Sequence, residues 1–259
     1  MTNQIHPTAI VAPGANLGRD NDIGPYAIIE DDVVLGDNNH IAAHACVKSG
    51  TRMGNKNTLR EQAVLGGLPQ HLGFSDKSIP TYLVIGDENE FCESVVVQRA
   101  YQEGKQTQIG SHNYLMCLTH IGHDCQIGNH ITFAPGMAIG GHVNIDDYVF
   151  ISGGVMVHQF VNIGRYAMVG GNTKITQDVL PFMMTDGNPA FVRGLNLVGL
   201  KRAGFSRDDI RTLKQAYRLL FQSGALTDNL QAISAISHHL VEHLLEFVRR
   251  AERGFHRVK

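Results

Sequence analysis

The clearest pattern in the chain is an apolar residue that recurs at every sixth position. From Ile5 the sequence divides into hexads such as IGPYAI, IGHDCQ and IGRYAM, each beginning with Ile, Leu, Val, Met or Phe. The frame holds over residues 5–64, 85–102 and 109–180, which together contain 25 hexads. Because only 43% of the chain is hydrophobic, chance does not produce this regularity. A fixed short period is the signature of a repeat architecture.

A period of six fits neither an ordinary helix nor a simple strand alternation, and it predicts a solenoid. Each hexad would form one short strand and one corner, so that three hexads close a triangular coil of 18 residues. The apolar first positions would then point inward and stack into one core, with each coil stable only against its neighbours. Successive coils would pair as parallel strands about 4.8 Å apart. Glycine often follows the apolar residue, and we expect it to relieve the corners.

The repeat is interrupted twice and then ends. Two segments outside the frame, residues 66–84 and 102–108, are predicted to be loops, and long loops on a rigid scaffold tend to carry function. After Pro181 the period changes to that of amphipathic helices. Ser206 is a candidate N-cap for a helix to about residue 222, and a longer helix is expected over 227–253. The sequence therefore predicts a β-helix domain over 1–190 and a helical domain over 191–259.

Charge and cysteine content narrow the possible functions. The net charge is −2, which gives the whole molecule no nucleic-acid signature. Residues 201–259 nevertheless hold 11 Lys and Arg against 6 Asp and Glu, which suggests either an acidic partner or a solvated helical surface. No signal peptide and no apolar run long enough to span a bilayer is visible. The four cysteines form no CxxC pair, so we expect reduced thiols in a cytoplasmic protein.

Histidines cluster in the third repeat block. With an 18-residue coil, His123, His142 and His158 should lie near one edge of the prism, one coil apart. A neutral imidazole can take a proton from a hydroxyl as that oxygen attacks an acyl donor, so His123 is a candidate general base for acyl transfer. Asp124 could orient the ring, and backbone N–H groups of the Gly140–Gly141 turn could hold the developing oxyanion.

Other interpretations of these histidines remain open at this point. They could form a ladder of weakly paired surface side chains, or the solenoid could be a non-catalytic scaffold. Stacked histidines also bind zinc in carbonic anhydrases of the same architecture, but those need three histidines that converge across a subunit interface. The string from His239 to His243 matches the H-x-x-E-H pattern of zinc peptidases, but it lies in a terminal amphipathic helix without that context.

Several segments, in order and with their spacing, resemble the UDP-N-acetylglucosamine acyltransferase family of hexapeptide-repeat enzymes. They are LTHIGHDC, GGHVNIDDY, VHQF, MVGGNTKITQDV, GNPA and GLNLVGLKRAGFS. The resemblance implies a left-handed β-helix and a cytoplasmic homotrimer without cofactor or metal. It implies transfer of an (R)-3-hydroxyacyl chain from acyl carrier protein to the 3-position of a UDP-sugar, the first step of lipid A synthesis. Some relatives acylate a 3-amino analogue of the sugar instead.

The resemblance also assigns roles to individual positions. It makes His123 the base, Asp124 its partner and Gly141 the oxyanion donor. It places the acyl-length determinant at Gly171, with Met168 nearby as a side chain that could narrow the channel. Because Gly171 offers no block, we expect a long donor, on the order of twelve to fourteen carbons. The resemblance also implies two groups of substrate-binding residues. His120, His142, His158 and Gln159 would line the donor and sugar site, and Asn196 and Arg202 would lie on the nucleotide side.

The chain departs from the common family pattern on the sugar-nucleotide side. Gly73 stands where many members have Lys, and residues 98–100 read QRA where many have HRG. Val198 and Ala203 replace a Glu and a second Arg of some members. These departures leave the acceptor's 3-substituent open. A later N-acyltransferase of the pathway carries an extra domain before its β-helix, and because the hexads begin at Ile5 we expect no such domain here. Arg249, Arg250 and Arg253 are the candidate contacts for the acidic carrier protein.

Overall fold

The computed structural model describes residues 2–75 and 78–259 and contains a triangular parallel β-helix followed by helices. Three sheets form the sides of the prism. The first sheet contains β1 Gln4–Ile5, β4 Asp22–Ile23, β7 His40–Ile41, β10 Thr58–Leu59, β13 Glu90–Phe91, β16 Tyr114–Leu115, β19 Thr132–Phe133, β22 Phe150–Ile151, β25 Met168–Val169, β27 Met183–Asp186 and β28 Phe191–Leu195. The second contains β2 Ile10–Val11, β5 Ile28–Ile29, β8 Cys46–Val47, β11 Val64–Gly67, β14 Val96–Gln98, β17 His120–Ile121, β20 Ala138–Ile139, β23 Met156–Val157 and β26 Lys174–Ile175. The third contains β3 Asn16–Leu17, β6 Val34–Leu35, β9 Thr51–Met53, β12 Tyr82–Ile85, β15 Gln106–Ile109, β18 Gln126–Ile127, β21 Asn144–Ile145 and β24 Asn162–Ile163. Each sheet is built from every third strand up to β26, and β27 and β28 extend the first of them.

The predicted stacking of 18-residue coils is confirmed by the strand register. Ile121 pairs with Ile139, and Ile139 pairs with Val157, one coil further on. These first-position side chains are at most 5% exposed and belong to one continuous apolar core. The buried first positions thus supply the inward face that the hexad pattern predicts.

The tight turn at each corner is made at a different hexad position from the one that the sequence suggested. The left-handed backbone conformation falls on the fourth position of the hexad, where polar or aromatic residues such as Asp124 (φ 60°) and His142 (φ 60°) stand. Glycine at the second position instead lets the backbones of adjacent coils approach each other closely. A Cβ on Gly18 would lie 2.5 Å from the Gly36 carbonyl oxygen in the next coil, so no larger residue fits there.

A ladder of asparagines, buried from Asn21 onward, runs along the corner where the third sheet leads into the first. The Oδ1 of Asn39 accepts the Asn57 backbone N–H at 2.8 Å, and the Asn39 Nδ2 donates to the Gly54 carbonyl at 3.0 Å. The same pattern links each asparagine to the next coil, which satisfies polar groups that burial would otherwise penalise. The members are Asn3, Asn21, Asn39, Asn57, Asn89 and Asn113.

Four helices follow the β-helix, where the sequence predicted two. They are α1 Leu197–Arg202, α2 Arg207–Leu220, α3 Leu226–Ser234 and α4 His239–Arg249. Ser206 caps α2 as predicted, in a reciprocal capping box with Asp209. The prediction of one helix over 227–253 is wrong. The chain breaks between α3 and α4, where His238 adopts an extended conformation, accepts the Leu240 N–H and contacts the Asp209 carboxylate at 3.2 Å.

The helices close the carboxyl end of the solenoid. Leu180 and Met183 of the last coil are buried with Ala216, Leu220 and Val241 of the helices. The boundary at residue 190 stays a prediction, because β28 also pairs antiparallel with β27. No helix among the described residues is long and apolar enough to cross a membrane.

Candidate active site

The predicted catalytic residues His123, Asp124 and Gly141 meet at the corner where the second sheet leads into the third, which we call the histidine corner. It consists of residues 122–124, 140–142 and 158–160 from three successive coils. His123, Gly141 and Gln159 occupy equivalent positions, as do Asp124, His142 and Phe160. His158 occupies a third, neighbouring position above Gly140. The three histidines therefore share one edge, as predicted, but they stand in adjacent columns.

His123 and Asp124 form the central pair of the histidine corner. The His123 Nδ1 and the Asp124 Oδ2 lie 2.7 Å apart, and both side chains are about nine-tenths buried. Burial raises the pKa of Asp124, but hydrogen bonds from His123 and from the Tyr101 N–H outweigh it, so the net pKa is lowered. A carboxylate held ionised against Nδ1 fixes the ring so that its Nε2 lone pair is free.

Glycines provide the space in which the His123 ring lies. A Cβ on Gly141 would lie 2.8 Å from His123 Cε1 and 2.9 Å from Nε2, so a side chain there would displace the ring. Below it, a Cβ on Gly122 would lie 2.8 Å from the Gly141 nitrogen. Within the described chain, no hydrogen-bond acceptor is assigned to the Gly141 N–H. That donor is available to a bound group beside the imidazole.

Burial favours the neutral form of two histidines near the pair. The His142 ring lies edge-on to His123 at 5.2 Å and stacks on Phe160, and burial lowers its pKa against the opposing effect of Asp124. His120 lies on the outward face of β17, and burial lowers its pKa too. Neutral imidazoles can donate or accept hydrogen bonds without adding charge to the site.

Residues of both interrupting segments, and Tyr101 just before the second, also reach this corner, and the sequence did not single them out. The Tyr101 N–H donates to the Asp124 Oδ2 at 3.0 Å, and the Thr107 Oγ1 accepts the Asp124 N–H at 2.8 Å. The His71 ring lies 4.1 Å from that of Tyr101 and edge-on to His123 at 5.5 Å. The two segments thus hold Asp124 and cover one side of the base.

At the upper end of the corner, His158 meets the carboxyl-terminal segment. Its Nδ1 lies 3.4 Å from Arg253 Nη2, and that guanidinium also donates to the Thr176 carbonyl. Gln159, which stacks above Gly141, is exposed. A residue predicted to contact the carrier protein therefore lies directly beside the predicted donor site.

The predicted nucleotide-side residues lie elsewhere on the chain. Asn196, Arg202 and Met168 line a groove of about 700 Å³ over the first sheet, together with Tyr148 and Tyr166. The Asn196 amide is engaged locally, because its Oδ1 accepts the Gly199 N–H and its Nδ2 donates to the Tyr166 carbonyl. This groove and the histidine corner are on different sides of the prism, so one chain does not bring them together.

Gly171 lies on a third edge, where the first sheet leads into the second. It is exposed, and a Cβ there would meet only the Gly153 carbonyl oxygen at 3.5 Å and the Ser152 Cβ at 3.9 Å. Met168 is not its lining neighbour, because Met168 points outward from β25 into the groove over the first sheet. The second sheet separates Gly171 from the histidine corner.

Comparison with known proteins decides the family. The acyl-[acyl-carrier-protein]–UDP-N-acetylglucosamine O-acyltransferase of Psychrobacter arcticus is 54% identical, with 97% of this chain and 98% of that protein covered. The enzyme of that name from Halorhodospira halophila is 41% identical, with the same coverage. Residues 178–256 match the family model described as UDP N-acetylglucosamine O-acyltransferase, domain 2.

This chain belongs to the UDP-N-acetylglucosamine acyltransferase family. Solved structures agree. The UDP-N-acetylglucosamine acyltransferase of Bacteroides fragilis superposes with a TM-score of 0.94 at 36% identity, covering 97% of this chain and 99% of that one. The Francisella novicida enzyme gives 0.94 at 30% identity, covering 98% and 94%. The predicted fold, a left-handed parallel β-helix with carboxyl-terminal helices, is thereby confirmed.

Proposed function

We propose that this chain transfers an (R)-3-hydroxyacyl group from acyl carrier protein to the 3-hydroxyl of UDP-N-acetylglucosamine, with His123 as general base. The observation that carries the proposal is the His123–Asp124 pair, buried beside the available N–H of Gly141. The relatives' names supply the donor and the acceptor. The reaction would be the first step of lipid A synthesis and would take place in the cytoplasm.

The geometry supports a simple mechanism for the transfer. Asp124 accepts the Nδ1–H of His123, which leaves Nε2 to take the proton of the sugar hydroxyl as its oxygen attacks the thioester carbonyl. The Gly141 N–H would hold the oxyanion of the tetrahedral intermediate. When the intermediate collapses, the carbon–sulfur bond breaks and the imidazolium returns its proton to the leaving thiolate. No metal or cofactor is needed for these steps.

The separation of the two substrate-binding regions supports a homotrimer. Asn196 and Arg202 lie over the first sheet, whereas His123 lies at the opposite corner. In a ring of three prisms, the histidine corner of one chain would face the groove of its neighbour and complete the site. His120, His142, His158 and Gln159 would then line the donor and sugar positions, and the exposed arginines at the end of α4 would face the carrier protein.

The test is a mass-spectrometric assay that offers UDP-N-acetylglucosamine and its 3-amino analogue with a series of acyl-carrier donors. We expect the ester product from the wild type and a loss of roughly 10²–10⁴-fold in His123→Ala, the usual scale for a general base. His40→Ala, an exposed histidine paired with Asp22, is the matched control. Near-wild-type turnover in His123→Ala would refute the assignment of the base. Amide product alone would make the amino sugar the acceptor.

A further inference from the structure

The histidine corner also holds a set of metal-binding side chains within one chain. One ligand atom each from His123, Asp124 and His142 lies within 4.8 Å of the other two. The Asp124 Oδ2 is 2.7 Å from His123 Nδ1 and 3.9 Å from His142 Nε2. Zn²⁺ binds imidazole nitrogen and carboxylate oxygen at about 2.0–2.2 Å in tetrahedral sites, so side-chain rotations that shift these atoms by on the order of 1 Å would bring them into coordination.

The first interrupting segment brings a further imidazole, that of His71, next to these three side chains. The His71 ring stands edge-on to His123 at 5.5 Å and is close enough to His142 to oppose its protonation. His71 Nδ1 accepts the Gly73 N–H at 3.0 Å, which directs Nε2 away from its own backbone. Three imidazoles and one carboxylate are a donor set that suits Zn²⁺. The exposed His71 and the partly exposed His142 give an ion a route to the buried pair.

We propose that His71, His123, Asp124 and His142 form a site for Zn²⁺ whose occupancy inhibits the enzyme. Binding at His123 Nδ1 would displace the Nδ1–H that Asp124 accepts and leave the remaining proton on Nε2. The imidazole would then lack the lone pair that removes the sugar proton. The ion would also cover the position of the acceptor hydroxyl beside Gly141. The metal site does not depend on the proposed function, whereas the inhibition rests on it.

Metal binding is tested first, on the full chain and without an activity assay. Calorimetric titration with Zn²⁺ should give one tight site per chain, and Co²⁺ should give the intense visible bands of a tetrahedral complex. His142→Ala, Asp124→Asn and His71→Ala should each weaken binding roughly 10- to 100-fold, a scale that even hydrogen-bond partners of ligands reach. The control is His112→Ala. That histidine also stacks on another, His130, and contacts Glu88, but it lies at a different corner.

Each outcome separates the two parts of the proposal. Unchanged Zn²⁺ affinity in His142→Ala and Asp124→Asn would overturn the site, as would equal weakening in His112→Ala. Weakening in those two variants but not in His71→Ala would remove the fourth ligand. If Zn²⁺ binds as expected and a chelator restores acyl transfer from the inhibited state, both parts stand. If Zn²⁺ binds while acyl transfer is unaffected, the inhibition is refuted and the metal site remains.

Discussion

At the scale of single residues, the pair His123–Asp124 shows how the chain fixes a proton position. Asp124 follows His123 directly and stands at the fourth position of its hexad. Its φ of 60° turns the carboxylate back towards the His123 ring. The sequence predicted both residues and Gly141, because their positions in the hexads placed them on one edge. Their hydrogen-bond partners Tyr101 and Thr107 were not predicted, because they lie at the two ends of the second interruption of the frame, where the period does not say which side chains meet.

The space above His123 gives the first prediction. Gly141→Ala places a Cβ 2.8 Å from the ring, which must then move away from Asp124 and the N–H of residue 141. We expect kcat to fall roughly 10²-fold, as a displacement of about 1 Å can cost that much, with little change in melting temperature. Gly67→Ala is the control, since a Cβ there would have only the Val97 carbonyl oxygen nearby, at 3.7 Å. Equal activity of the two variants would show that the ring tolerates displacement.

At the scale of elements, the hexad frame also fixes where the two interrupting segments lie relative to the site. Both interrupting segments leave the frame after strands of the second sheet, β11 and β14. That is the corner where His123 lies, so counting coils places both loops beside the base.

The helices at the end of the chain were less predictable. The amphipathic period continues across residues 235–238, and only tertiary contacts such as His238 with Asp209 divide it into α3 and α4.

The edge that carries Gly171 gives a second prediction. Gly171→Met should fold with nearly unchanged stability, because the residue is exposed, has no positive φ and a Cβ meets no atom closer than 3.5 Å. If the acyl chain runs across the second sheet to this edge, the new side chain shortens the preferred donor. Each methylene that no longer fits costs about 0.8 kcal/mol. Competing donors of different length measure the effect, and an unchanged order of preference would place the length determinant elsewhere.

The carboxyl-terminal segment is anchored by His256, and its stability should depend on pH. His256 is 5% exposed, its Nε2 accepts the Gln177 N–H, and burial lowers its pKa. The folded state therefore excludes a proton that the unfolded chain binds near pH 6.5. This stability is present above pH about 6.5 and is lost as the pH falls below it, by up to about 1.4 kcal/mol per pH unit for each proton.

Thermal unfolding between about pH 7.5 and about pH 5.5 measures this effect. The melting temperature of the wild type should fall with acidification, and His256→Gln should reduce the slope. His120, His142 and His243 also have pKa values lowered by burial, so the variant retains part of the dependence. Identical slopes for the wild type and His256→Gln would show that the anchor is not protonated on unfolding.

At the scale of the whole molecule, the separation of the groove from the histidine corner makes activity depend on assembly. We expect multi-angle light scattering to give three times the chain mass of 28.4 kDa. Inactive His123→Ala mixed with inactive Arg202→Ala should regain part of the activity after the chains are exchanged, because some sites then combine an intact corner with an intact groove. An active monomer, or no recovery in exchanged mixtures, would contradict the shared site.

The basic end of the molecule gives a final prediction. Arg249, Arg250 and Arg253 are exposed, and Arg253 reaches His158 at the histidine corner. Reversing the charges of Arg249 and Arg250 should raise the apparent KM for the acidic carrier protein, and the difference from the wild type should shrink with added salt. The KM for the UDP-sugar should not change. An unaltered KM for the carrier would place its docking surface elsewhere.

The antiparallel strand β28 has a consequence for how copies of this molecule can polymerise. It covers the last strand of the first sheet, while the helices bury the end of the core around Leu180 and Met183. Among residues 2–75 and 78–259, no helix or antiparallel strand covers the opposite end, where the first-position side chain of Ile5 is 45% exposed. A fibre needs two complementary open ends on every molecule, whereas this solenoid offers one. End-to-end contact through the open coil can therefore join two copies but cannot propagate further.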